Sequence, residues 1–211
     1  MPLASVATKR RKNDYQTKLG VAGGGVLPEV IPRLLLFGLF ALALGGCAAR
    51  ASQPARLGLK LPPAAFGEPV SLQQRLTVER DGRIDQLDAA LEVDTQSVDL
   101  VVLILDQRML SLHFDGQALE TWRHPMVPAQ LQAEDVLENL QLTLWPVDAI
   151  RQALPSGWRI EESGLRRTLF LNDAPVMLIE YSSEPRWSGK VVLTDRRYHY
   201  LLTIQSVSNG P

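Results

Sequence analysis

From Pro69 onward, apolar and polar residues alternate in short runs separated by turn-forming residues, the pattern of antiparallel β-strands. Val70, Leu72, Leu76 and Val78 take one phase, and Ser71, Gln73, Arg75, Thr77 and Glu79 take the other. Asp81-Gly82 then supplies a hairpin turn, and Ile84 opens the return strand. In that strand Leu87, Ala89, Leu91 and Val93 oppose Asp88, Glu92 and Asp94, which gives the hairpin one apolar and one wetted face. Val98 to Leu105 differs, because Leu100 to Leu105 is apolar at every position, as suits a strand covered on both sides or a face that closes on a ligand. Met109 to Phe114 follows a turn placed at Gln107-Arg108. A turn at Asp115-Gly116 then leads to Gln117 to Trp122.

The period changes after His124-Pro125. Ala133 to Trp145 carries Val136, Leu137, Leu140 and Leu144 at helical spacing, with Glu134 and Asp135 near its start where the helix dipole favours acids. Pro146 ends or kinks this helix, and Val147, Ile150 and Leu154 continue the stripe through a second short one before Pro155-Ser156-Gly157. Strand-length segments then resume: Trp158 to Glu162, Arg167 to Asn172, Val176 to Ser182, Lys190 to Thr194 and Tyr198 to Ser206. Turns fall at Asn172-Asp173 and Asp195-Arg196. About ten strands with a helical insert predict a mainly β, α+β fold, a curved antiparallel sheet wrapped round the helices. An open half-barrel with the helices in its mouth and a closed barrel capped by them both satisfy the pattern. The half-barrel is preferred, because the helical stripe is a second apolar surface needing cover.

Upstream lies a different signal. Leu34 to Leu44 has the length of a secretory apolar region, is preceded by Arg33, and falls short of the roughly 20 residues a transmembrane helix needs. It runs into Leu44-Gly45-Gly46-Cys47, which resembles a bacterial lipobox and ends on the single cysteine of the chain. An unpaired thiol in an oxidising compartment needs an explanation, and lipidation supplies it. The expected organisation is a signal peptide over 1–46, a lipidated flexible tether over 47–68, and one domain over 69–211. Ala48 follows the cysteine in place of the aspartate that is the usual inner-membrane retention signal, so the expected address is the periplasmic face of the outer membrane. The basic run Lys9 to Lys12 and the glycines at 23–25 make a long leader. Either it is an extended n-region or residues 1–25 lie upstream of the true start, the reading favoured here.

Composition narrows the chemistry. The chain is 45% hydrophobic with a net charge of −1, from 22 Lys and Arg against 23 Asp and Glu, which suits a globular domain and does not suggest nucleic acid as a partner. His113, His124 and His199 sit on separate elements without cysteine or carboxylate at metal-ligand spacing, so no metal or other cofactor is expected. The sequence has no Gly-x-Ser-x-Gly elbow, phosphate-binding glycine loop or His-Glu-x-x-His. The carboxylates are read as facing outward, and the protein is expected not to be an enzyme.

The segment Glu138 to Pro146, reading Glu-Asn-Leu-Gln-Leu-Thr-Leu-Trp-Pro, followed by Ile150 and Leu154, resembles a helical motif of uncharacterised proteobacterial outer-membrane lipoproteins often encoded beside aryl polyene synthesis genes. Arg166-Arg167, Ile179-Glu180-Tyr181 and the closing Tyr200 to Ile204 strengthen the likeness, which runs from about Pro69 to Val207. That family looks like LolB, the outer-membrane acceptor of lipoproteins, and LolA, its periplasmic carrier. The resemblance implies a sheet that holds acyl chains in a cavity covered by helices. Cavity candidates are Leu91, Val102, Ile104, Leu112, Phe114, Leu140, Leu144, Trp145, Leu169, Leu178, Tyr200 and Leu202. Met109-Leu110 is the candidate for a protruding apolar loop like that of LolB. The expected function is binding and transport or insertion of an acyl-bearing lipid or lipidated cargo, an aryl polyene lipid among them. The expected partners are the outer membrane, through lipidated Cys47, and a LolA-like periplasmic carrier, with the protein itself a monomer. The competing expectation is a structural lipoprotein of an export machine with a filled interior.

Overall fold

The computed structural model describes residues 56–128 and 131–208. Cys47, the signal peptide and residues 47–55 of the tether lie outside the described residues. Ten strands form one antiparallel sheet: β1 Val70–Arg80, β2 Arg83–Val93, β3 Val98–Ile104, β4 Gln107–Phe114, β5 Leu119–Arg123, β6 Trp158–Ser163, β7 Arg166–Leu171, β8 Ala174–Tyr181, β9 Gly189–Asp195 and β10 Tyr200–Ser208. Between β5 and β6 come two helices, α1 Ala133–Leu144 and α2 Val147–Ala153. None of the described helices is long and apolar enough to cross a membrane.

The strand order is β5-β4-β3-β2-β1-β10-β9-β8-β7-β6. Every strand pairs with its neighbours in sequence except that β1 pairs with β10, which leaves β5 and β6 as the two edges. The sheet is therefore open, as the half-barrel expectation has it, and curved. This order also dictates where the helices go. The chain must travel from one edge to the other between Arg123 and Trp158, and the helical insert covers the concave face on the way.

Antiparallel partners share a face, so the register assigns each side chain. Leu72, Leu91, Leu100 and Leu112 line up across β1 to β4, and Ile204, Val191 and Tyr181 line up across β10, β9 and β8. These residues are buried and form one cluster with Leu137, Leu142, Trp145 and Ile150 of the helices. Two of the turns that use left-handed backbone bear on the sequence expectations. Asp81-Gly82 turns as expected, with φ of 52° and 76°. The second is Leu105-Asp106, with φ of 49° and 61°, two residues earlier than the expected turn at Gln107-Arg108. Leucine rarely takes that conformation, so its sequence gave no turn signal.

Three further expectations need correction. Met109 and Leu110 do not protrude: they are buried on β4, at a register shift opposite Val102/Leu103. The most exposed apolar residue of that hairpin is Leu105, at 94% exposure. The tether expectation fails for residues 57–66, because Leu57, Leu59, Leu61 and Phe66 are core residues. Alternating with Gly58, Lys60 and Pro62, they make an apolar strap, and it ends in a 3₁₀ turn at Pro63–Phe66. Finally, the carboxylates do not all face outward: Asp195 and Glu138 are buried in the interior.

Candidate functional site

The concave face and its helical cover are the candidate site, and the residues that set its geometry are polar. Helix α1 ends at Leu144 with no basic residue in its last turn, so the orphan carbonyls there need donors from elsewhere. The sheet supplies them. Arg167 of β7, 2% exposed, donates from Nη1 to the carbonyls of Leu142 at 2.9 Å and Thr143 at 3.2 Å, and pairs through Nε with Glu162 of β6. Tyr181 Oη of β8 donates to the Thr143 carbonyl at 2.6 Å. A guanidinium at a helix C-terminus also favours the dipole. Burial pushes the Tyr181 phenol up to about 12, so it remains a donor throughout ordinary pH.

A second grip holds the first half of α1. Arg197, in the β9–β10 connection, donates from Nη1 to Glu138 Oε1 at 2.9 Å and from Nη2 to Asp195 Oδ2 at 2.8 Å, with all three side chains nearly solvent-free. Desolvation opposes the Arg197 charge, but its two carboxylate partners outweigh that and raise its pKa further. Asn139 Nδ2 donates to Tyr200 Oη at 2.7 Å, and burial shifts the Tyr200 phenol strongly upward. The buried Oδ1 of Asn139 has no hydrogen-bond partner. At the start of the helix, Asp135 accepts from Arg56 at 3.2 Å and from Tyr198 Oη at 3.3 Å. Its pKa is raised chiefly by desolvation, against the pull of Arg56.

The strap runs parallel to α1 and is held by that helix. Leu57 and Gly58 N–H both donate to Glu138 Oε2, at 3.2 and 2.9 Å. Gln141, fully buried, accepts from Leu61 N–H at 2.9 Å and donates to the Leu61 carbonyl at 2.8 Å. Trp145 Nε1 donates to the Pro62 carbonyl at 3.3 Å, and its ring lies 5.1 Å from that of Phe66. Glu138, Gln141 and Trp145 thus form one stripe of α1 that handles strap backbone.

The structure places most cavity candidates on the buried interior. Leu91, Val102, Leu112, Phe114, Leu144, Trp145 and Leu169 are buried, while Leu140, Tyr200 and Leu202 are partly buried and packed against the same cluster. Two do not line it. Ile104 is 36% exposed at the sheet end. Leu178 pairs with Thr168 and Thr194 and faces the other side, between inward Met177 and Ile179. The run Val176 to Ile179 is apolar throughout, so alternation leaves its phase undefined.

Around Trp145 the space is occupied: Trp145, Phe114, Leu91, Leu137, Leu142 and Ile150 all have 0% exposure. An open depression of about 430 Å³ lies elsewhere, between the β1–β2 turn and the start of β10, and of the cavity candidates only Tyr200 borders it. The end of the sheet carrying that turn also exposes Ile84, Leu105, Trp122 and Met126, by 65, 94, 40 and 77%. Among the described residues no three His, Cys, Asp or Glu side chains gather as a metal site would require.

A family profile matches residues 71–208, close to the span expected from the strand and helix motifs. The chain belongs to the DUF3261 family, described as proteins of unknown function. DUF3261 thus covers the ten-stranded sheet from the second residue of β1 onward and both helices, and leaves out the strap. No curated protein matches this DUF3261 chain in sequence. Among solved structures it is similar to a LolA superfamily protein of Nitrosomonas europaea at 10% identity and TM-score 0.35, over 72% of this chain and 92% of that one. It is also similar to a DUF1329 family protein of Desulfovibrio piger at 9% identity and TM-score 0.37, over 69% and 87%.

Proposed function

We propose that this DUF3261 protein binds an acyl chain, borne by a lipid or a lipidated cargo, against the concave face of its sheet and assists its transfer at the outer membrane. The observation that carries the reading is the interior surface of β2, β3 and β4, which is apolar throughout: Ala89, Leu91, Val93, Val98, Leu100, Val102, Leu110, Leu112 and Phe114 are all buried. The side-chain bonds of α1 go instead to the strap and to β6–β10. A surface without polar demands suits a ligand recognised by its hydrocarbon, whose transfer from water contributes roughly 25 cal/mol per Å². The reading includes lipidation at Cys47, residence on the periplasmic face of the outer membrane, exchange with a LolA-like carrier, a monomeric state, and no catalysis. Several buried acyl methylenes at about 0.8 kcal/mol each make such an anchor stable. The end of the sheet that exposes Ile84, Leu105, Trp122 and Met126 would then face the bilayer.

The test has two arms. Native mass spectrometry of the chain from Ser52 onward, a compact unit by itself, is expected to show bound lipid, and a fluorescent fatty acid is expected to bind with saturation. Cys47→Ser in cells is expected to abolish labelled palmitate incorporation and release the protein from membranes. A flat binding curve and lipid-free spectra would remove the acyl reading. The occupied space around Trp145 favours a second one, a structural lipoprotein whose filled domain docks a partner in an export machine.

A further inference from the structure

We infer that the strap, residues 57–66, is the resident occupant of the acyl site and that a ligand binds by displacing it. This rests on the acyl-binding reading and says where the ligand goes. The interior has no vacant space around Trp145, so an acyl chain can enter only if something leaves. The sheet strands are tied into ladders, and α1 is tied to β7, β8 and the β9–β10 connection by buried side chains. The strap pairs with no strand and is held to α1 alone. The bonds that hold its backbone come from the side chains Glu138, Gln141 and Trp145 of α1.

The leucine side chains it buries are aliphatic, as an acyl chain is. Leu57, Leu59 and Leu61 make one buried apolar edge. Departure is also chemically tolerable at Glu138, because its Oε1 keeps Arg197 when Oε2 loses Leu57 and Gly58. The match to DUF3261 begins at residue 71, so the strap lies outside the part that defines the family fold. It joins β1 only at its C-terminal end, through the turn at Pro63–Phe66, which leaves its leucines free to withdraw as a unit.

Two variants of the chain from Ser52 onward test this, with cis-parinaric acid as the probe. Leu59→Ser weakens the strap from its own side, and Gln141→Leu removes two of its bonds while keeping the site apolar. Each is expected to bind the probe at least about tenfold more tightly than the parent. In hydrogen exchange, the probe is expected to accelerate the amides of Leu57, Gly58 and Leu61 while slowing those of β3. Equal affinity in all three proteins with unchanged or slowed strap exchange would overturn the inference and leave acyl binding standing. Absence of probe binding in every form would overturn acyl binding, and displacement with it.

Discussion

Strands β2, β3 and β4 meet the interior with Ala89, Leu91, Val98, Leu100, Leu112 and Phe114, whereas β6 to β10 meet it with Glu162, Arg167, Tyr181, Asp195 and Tyr200 among their aliphatic residues. The two halves belong to one sheet and face one helix, yet hold it by different physics. Apolar packing is non-directional and accepts any hydrocarbon of suitable volume. Charge-assisted bonds fix position, and leaving one unmade in a dry interior is costly. The polar half therefore sets where α1 lies, and the apolar half packs against the interior without fixing a position.

The largest effect should come from breaking the polar half. Arg197→Ala leaves Asp195 and Glu138 as buried carboxylates without their cation, and loss of one partner from such a group costs about 3–5 kcal/mol. Urea unfolding should show a loss of that size. A loss below about 1 kcal/mol would mean that α1 is positioned by packing alone, and the distinction between the halves would fall.

On the apolar half, Leu91→Ala removes a fully buried side chain and should cost about 2–5 kcal/mol, the upper part of that range if the site keeps its void. An apolar void stays dry and admits small apolar molecules. Benzene should therefore raise the melting temperature of Leu91→Ala and leave that of Arg197→Ala unchanged. Equal responses would show the two halves to be alike. Smaller still is Tyr181→Phe. The Thr143 carbonyl keeps Arg167 as a donor, so the lost bond should cost only about 0.5–1.5 kcal/mol in the same unfolding measurement.

The strands and the helical insert were legible because their apolar periods of two and about 3.6 are clean, and an insert between two sets of strands has few places to go. The grips are also written in the sequence, in the phase of charged residues along the strands. Arg167 shares phase with Leu169, Glu162 with Ile160, and Asp195 with Val191 and Leu193. Charge usually marks the wet face of a strand, and here it marks bonds to a helix that alternation cannot see. The strap is hidden for another reason. Leu57, Leu59 and Leu61 alternate as a strand does, but three leucines among Ala, Gly and Pro resemble a linker until a helix presents Glu138 and Gln141 to their backbone. What no local pattern could supply is the phase of Val176 to Ile179, which only pairing with β9 decides.

The smallest expected effect lies on the wetted face of the apolar half and tests whether that half has an electrostatic grip of its own. His113 of β4 pairs through Nδ1 with Asp99 of β3 at 2.8 Å, with both side chains 45% exposed. The hydrogen bond to Asp99, then its charge, with smaller help from Glu120 and Asp115, holds the imidazole above its ordinary pKa. A raised histidine stabilises the folded state fully below the unfolded pKa near 6.5, and that contribution disappears as pH rises through the folded value. Exposure and salt keep such a pair weak. His113→Gln should therefore lower the urea midpoint slightly at about pH 5.5 and leave it unchanged at about pH 8.5, with the difference shrinking further in about 1 M salt. A larger loss that persists at high pH would mean that His113 acts through packing. The outer face of β3 and β4 would then contribute to stability in the same non-directional way as their inner face, and the contrast would extend through the whole half-sheet.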